Sequence, residues 1–184
     1  MSAILDFYNG IEPNQQGFYF YDIIDFSDEM LEKNHFYIQW LFPLRESSKV
    51  VPDAPILDDR DIETFIESNE LRKKVLLAYN RMMGFLGLRY SLEKDPSDKS
   101  GEYYALYVVK DENTYKERSK VWLTPKNHNF LRITRIITSL RELGVETAAS
   151  RFYNFLCKLY EEEKGIIGPL TKQFWDEAMK KNSV

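Results

Sequence analysis

The chain has 184 residues, of which 43% are hydrophobic and 15% aromatic, with a formal net charge of −4 at pH 7. That length suits one domain over residues 1–184 with ample material for a core, and the acidic balance argues against nucleic acid as a partner. The single cysteine, Cys157, excludes an intrachain disulfide and fits a reducing compartment.

Twelve Tyr, twelve Phe and three Trp stand against only eight Gly, a balance that favours dense aromatic packing over a turn-rich β architecture. The N-terminal stretch from Met1 to Gly10 has no basic region followed by a long apolar run, so no secretory signal is read there. No window approaches the roughly 18 apolar residues of a membrane span. A cytoplasmic location is therefore expected.

The first marked helix start is at Ser27, followed by Asp28 and Glu29 and flanked by Phe26 and Leu31, which are spaced to form a hydrophobic staple. From Asn34 to Pro43 the chain is almost unbroken aromatic and apolar, a composition that belongs at the centre of a core. Pro43, Pro52 and Pro55 then fix an irregular, ordered loop. Asp58 repeats the capping arrangement with Leu57 and Ile62, and Asp59 and Asp61 suit a first helical turn.

Between Glu70 and Leu86, Leu71, Val75, Ala78, Met82 and Phe85 recur at helical spacing and predict a core-facing helix that stops near Gly87. Residues from Arg89 to Pro125 carry the weakest signal. Lys94 to Gly101 reads as a polar breaker-rich loop, Tyr103 to Val109 as a short strand or one arm of a small hairpin, and Glu112 to Leu123 as a helix. Apolar periodicity predicts further helices over Asn129–Leu143, stopped by Gly144, and over Val145–Lys164. Cys157 falls on the apolar pattern of the latter and is expected to be a buried, inert thiol. Thr171, with Leu170 and Trp175, predicts a last helix over Thr171–Lys181. Together these elements predict an all-α fold, a single compact bundle of about seven to nine helices, with an irregular loop or short hairpin around residues 89–111.

Two blocks of sequence are distinctive. One is His35-Phe36-Tyr37-Ile38-Gln39-Trp40-Leu41-Phe42-Pro43-Leu44, followed by Ser47 and by Ala54-Pro55-Ile56-Leu57. The other runs His128-Asn129-Phe130-Leu131-Arg132-Ile133-Thr134-Arg135-Ile136, then Ser139-Leu140-Arg141 and Leu143-Gly144. With the intervening Met82 to Leu88 and the late Phe174-Trp175, both resemble the shared domain of the opioid growth factor receptor family. The resemblance runs over nearly the whole chain and implies an all-helical domain with a binding role. Vertebrate members of that family are described as receptors for an enkephalin pentapeptide at the nuclear periphery, with long repeat-bearing tails. This sequence stops at Val184 without such a tail, so nuclear-periphery or membrane association rests on family analogy alone.

Both histidines lie in the distinctive blocks. If each block is helical, His35 and Gln39 share a face, as do His128 and Arg132, with Arg135 a further turn along. Convergence of the two helices would give a polar pocket of His35, Gln39, Trp40, His128, Arg132 and Arg135. Arginine forks and a tunable histidine suit a carboxylate or phosphate, including the end of a peptide. The competing reading makes the histidines core-edge groups bonded to backbone carbonyls, the arginines ion-pair partners and Gln39 a satisfier of a helix end.

Metal-binding spacings, phosphate-binding and dinucleotide-binding glycine loops and the Gly-x-Ser-x-Gly elbow are not found, so no cofactor, metal ligand or catalytic residue is assigned. Charge is uneven: Asp53 to Glu70 carries seven acidic residues against Arg60, and Lys116 to Arg141 carries seven basic residues against Glu117. Mutual neutralisation or ordinary solvated faces are expected, with a basic ligand patch as the alternative. The functional expectation is a binding or interaction module for a peptide or small anionic ligand. The alternatives are an enzyme acting on a phosphorylated or carboxylated small molecule at the same pocket, and a scaffold that holds a protein partner.

Overall fold

The computed structural model describes residues 2–48, 51, 53–94, 100 and 104–180. Most of the expected breaker loop, together with Pro52, Tyr103 and Lys181, lies outside the described residues.

The described N-terminal part is broken into four short helices: α1 (Ala3–Asn9), α2 (Phe20–Ile24), α3 (Asp28–Lys33) and α4 (Tyr37–Leu41). Longer ones follow, α5 (Asp59–Glu67), α6 (Asn69–Leu86), α7 (Tyr115–Trp122), α8 (Asn129–Glu142), α9 (Glu146–Glu162) and α11 (Pro169–Met179), with the single turn α10 (Lys164–Ile167) between the last two. Between α6 and α7 lies an antiparallel pair, β1 (Leu88–Lys94) and β2 (Tyr104–Lys110), registered from Leu88↔Lys110 to Lys94↔Tyr104.

The expectation of an all-α bundle of about seven to nine helices is thus corrected: eleven helices and one two-stranded sheet are present among the described residues. The extra helices arise because the aromatic N-terminal region is cut by Gly10, by the Ser27 cap and by Asn34, whose Oδ1 accepts from Phe36 N at 2.8 Å and diverts the chain before α4. The strand paired with the expected one was readable in Leu88, Tyr90 and Leu92 alternating with Arg89, Ser91 and Glu93, a period-2 pattern.

Two of the expected caps form. Ser27 accepts from Met30 N, and Asp58 exchanges bonds with Asp61 across a capping box. Thr171 does not cap: α11 begins two residues earlier, with Pro169 in its first turn behind Gly168 at φ 76°. At the other end of α6, Gly87 adopts φ 72°, and a Cβ there would stand 2.7 Å from Tyr115 Cα, so the turn requires glycine.

One buried apolar cluster runs from Ile4 to Ala178. The expected core stretch Asn34–Pro43 enters it only from Tyr37 on, with Tyr37, Leu41 and Phe42 fully buried, while His35 and Phe36 are exposed at the corner before α4. Polar tips inside the core find backbone acceptors: Tyr8 Oη donates to Leu41 O at 2.6 Å, Trp122 Nε1 to Leu86 O at 3.0 Å and Trp175 Nε1 to Phe130 O at 3.2 Å. The last of these ties α11 to the start of α8. Cys157 is half-buried rather than buried. Among the described residues no helix is long and apolar enough to cross a membrane.

Candidate functional site

Helix α8 is amphipathic, and its inner residues Phe130, Ile133, Ile136, Ile137 and Leu140 are buried. Leu131, Thr134, Arg135, Thr138 and Arg141, three or four residues apart, form the other face. Across from that face the chain leaving α4, Leu44 to Ser48, is held in place by a parallel bridge between Leu44 and Ile56. Arg135 reinforces it by donating from Nη1 to Phe42 O at 3.0 Å. With Phe174, Glu177 and Ala178 of α11, these segments enclose a cleft of about 640 Å³.

Five of the six expected site residues, His35, Gln39, His128, Arg132 and Arg135, line this cleft. Trp40 is placed elsewhere. It is 5% exposed and packs on Phe7 at a ring separation of 5.1 Å, because alternate sides of so short a helix face core and cleft. His35 does not share a helix with Gln39, since α4 begins at Tyr37. His128 is the N-cap residue of α8 and stands one turn before Arg132.

The convergence at the α3–α4 corner is tight. The imidazoles of His35 and His128 meet edge to face at 5.2 Å. Arg132, 5% exposed, donates from Nη1 to Asn129 Oδ1 at 3.0 Å and from Nη2 to Asn34 O at 2.9 Å and Glu32 O at 3.3 Å. Its Nη2 is also 3.3 Å from His35 Nδ1, a contact that holds when that nitrogen carries no proton, because arginine can only donate. The Glu32 carboxylate accepts from Asn129 Nδ2 at 3.0 Å, stands 3.8 Å from Arg132 Nη1 and 3.3 Å from His128 Nε2. The Arg132 guanidinium also lies over the Tyr37 ring.

Burial pushes the His128 imidazole below its ordinary range, helped by the charge of Arg132 and only partly opposed by Glu32. With its amide turned so that nitrogen meets acceptors, Gln39 donates to His35 O at 2.8 Å and Phe36 O at 3.1 Å. Arg132 and Gln39 are thus engaged by the protein itself.

The other end of the cleft is different. Arg141 Nη1 and Glu142 Oε2 are buried and have no hydrogen-bond partner among the described residues. Burial holds the Glu142 carboxyl above the usual carboxylate range, against the pull of Arg45 and Arg141. Glu46 acts on both Glu142 and Arg135. The Arg45 guanidinium is exposed and paired with Asp59. Arg141, Glu142, Arg45 and Glu46 were missed as site residues. For Arg141 and Glu142 the signal that could have found them is the polar i, i+3, i+4 stripe of α8 continued to its last turn; Arg45 and Glu46 lie in an irregular segment with no periodicity to mark them.

The basic segment finds its partners outside the acidic one. Arg118 lies 3.4 Å from Asp28 and Arg132 pairs with Glu32, both on α3, so α3 rather than residues 53–70 supplies the counter-charge in these pairs. Among the described residues no three His, Cys, Asp or Glu side chains are grouped to hold a metal ion.

Comparison with known proteins gives these residues a context. A family model described as the opioid growth factor receptor (OGFr) conserved region matches residues 2–178. A mouse opioid growth factor receptor-like protein 1 is 40% identical over 128 residues, 70% of this chain and 25% of that protein. The human opioid growth factor receptor is 42% identical over 118 residues, 64% of this chain and 16% of that protein. A Xenopus tropicalis opioid growth factor receptor-like protein 1 is 40% identical over 135 residues, 73% and 23% of the two chains. The matched stretch therefore spans a quarter or less of these relatives. No solved structure matches the chain. With its distinctive blocks and nearly its full length matched, the chain belongs to the opioid growth factor receptor family.

Proposed function

We propose that this chain is a ligand-binding module whose seat is the cleft between residues 44–48, α8 and α11. Its ligand is a short peptide or small molecule carrying a carboxylate or phosphate. The observation that carries this reading is the pair of arginines on the cleft face of α8. Arg135 uses one Nη1 donor on Phe42 O, and Arg141 Nη1 has no partner among the described residues. A guanidinium has five donors in a planar fork, which matches the two or three oxygens of such anions. Leu131 and Phe174, 63% and 38% exposed, add an apolar rim for the rest of the ligand. Relatives named as receptors supply the analogy that brings a ligand to this chain at all.

The test is a titration of acetate, inorganic phosphate and short peptides into isotope-labelled protein, followed by amide chemical shifts. An anion should move the resonances of α8 and residues 44–48 in the wild type and lose at least about tenfold in affinity in Arg141→Ala or Arg135→Ala. Shifts that persist unchanged in both variants would place the ligand elsewhere.

A second reading has its own observation. Leu131 and Phe174 line the rim of the cleft, 63% and 38% exposed, and Leu170, one turn before Phe174 on α11, is a third large apolar side chain left 61% exposed. These side chains suit a protein partner, and substitution of all three by serine should then abolish a partner's binding while leaving titrations of acetate and inorganic phosphate, which carry no apolar part, unaffected.

A further inference from the structure

Arg141 and Glu142 are consecutive residues in the last turn of α8, and both line the cleft. Consecutive side chains on a helix diverge by about 100° around its axis, so they do not face each other. This explains why two opposite charges so close in sequence leave Arg141 Nη1 and Glu142 Oε2 without a hydrogen bond to one another. Each is left with a buried polar atom that no described group satisfies. A buried carboxyl at a helix C-terminus is also unfavourable, because the helix dipole is negative there. The position adds cost rather than relief, and native proteins rarely leave such groups without a role.

On the strength of the cleft reading above, we infer that its charged end recognises a zwitterion of the α-amino-acid type, the carboxylate held by Arg141 and the ammonium by Glu142. The geometry sets the class. Adjacent positions in the last turn of α8 put an arginine and a glutamate at one end of the cleft without pairing them to each other, and the carboxylate and ammonium of one α-amino acid offer a partner to each. A simple anion satisfies Arg141 and leaves Glu142 unpaired. A simple amine does the reverse. Only a ligand with both groups offers a partner to each of the two cleft-lining side chains, and discrimination against analogues lacking one group follows from the charged group then left unpaired.

Arg45 and Glu46, also at this end, keep the local charge mixed rather than purely basic. The apolar side chains Leu44 and Ile38 of the same cleft offer contact to the amino acid's side chain. Arg135 lies two turns back along α8 and serves the anion without touching the ammonium's partner.

The experiment uses three probes of one skeleton: L-phenylalanine, 3-phenylpropanoate, which lacks the ammonium, and 2-phenylethylamine, which lacks the carboxylate. Each is titrated into the whole chain by NMR at millimolar concentrations. Phenylalanine should bind at least about tenfold tighter than either analogue. In Glu142→Gln it should fall to the level of 3-phenylpropanoate, and in Arg141→Met to that of 2-phenylethylamine. Equal binding of phenylalanine and 3-phenylpropanoate to the wild type, both lost in Arg141→Met, overturns the zwitterion inference and leaves the anion site standing. If no carboxylate binds in an Arg141-dependent way, the inference falls, and if binding is also unchanged in Arg135→Ala the cleft reading falls with it. The wild-type comparison needs no variant to fold, so the result stands even if a substitution unfolds the chain.

Discussion

The two ends of one cleft handle charge in opposite ways. At the α3–α4 corner, Arg132, Glu32, Asn129 and His35 satisfy one another, and the arginine is almost wholly buried. Three turns along the same helix, Arg141 and Glu142 are half-buried with polar atoms left unpaired. A saturated network fixes structure, because every donor has a partner and removing one strands the others. An unsaturated pair costs stability and is available to a ligand. The difference separates scaffold from candidate site along about 15 Å of one helix, a distinction that residue type alone does not make.

The comparison breaks most readily at Arg132. Arg132→Met should leave the half-buried Glu32 without its cation and two backbone carbonyls without their donor. The expected loss is about 2–3 kcal/mol of folding stability, visible in urea denaturation. A loss under about 1 kcal/mol, coupled to loss of anion binding, would make Arg132 a ligand arm and reverse the assignment of the two ends.

Arg141→Met should do the converse. The substitution removes an unpaired buried donor and keeps the apolar stem, so stability should stay within about 1 kcal/mol of wild type, on either side. Anion affinity should fall. A variant that unfolds would show that Arg141 is a structural group like Arg132.

How far this was legible in the sequence follows the same division. The convergence of His35 and His128 was readable because both fall in the distinctive blocks and one pocket draws them together. What was not readable is that Asn34 would stop the helix before His35, since an Asx turn competes with helix by a single side-chain bond. Nor was it readable that Arg132 would be enclosed, because its acceptors are backbone carbonyls of residues 32 and 34, about a hundred positions away in the chain. Trp40 was drawn into the expected site by its neighbour Gln39, although adjacent helix positions point different ways and its ring goes to Phe7. Arg141 and Glu142 looked like ordinary charges at a helix end, and only the fold of residues 44–48 over them makes them cleft residues.

Acid should stress the saturated corner. The folded protein holds His128 below its ordinary range, so the unfolded chain takes up the proton first as pH falls through about 6.5. Stability is therefore present above that pH and is lost below it, down to the folded-state value. His128→Gln should flatten this part of the pH profile, and a wild-type profile that is already flat between pH 7 and 5 would show that Glu32 fully offsets the burial.

Glu142 should give the smallest effect and the opposite sign. Its carboxyl is held above the usual range in the folded state, so the folded protein binds the proton more readily than the unfolded chain. The stability it contributes is complete below the ordinary glutamate range and is lost as pH rises through the folded-state value. At neutral pH the wild type therefore carries a penalty that Glu142→Gln removes, and the variant should melt slightly higher, by a few degrees at most. Saturating zwitterionic ligand should narrow that gap, because an ammonium beside the carboxylate relieves in the wild type what the amide relieves in the variant. A gap that ligand leaves unchanged would mean that Glu142 is buried for reasons of packing, and the unsaturated end would then consist of the arginines alone.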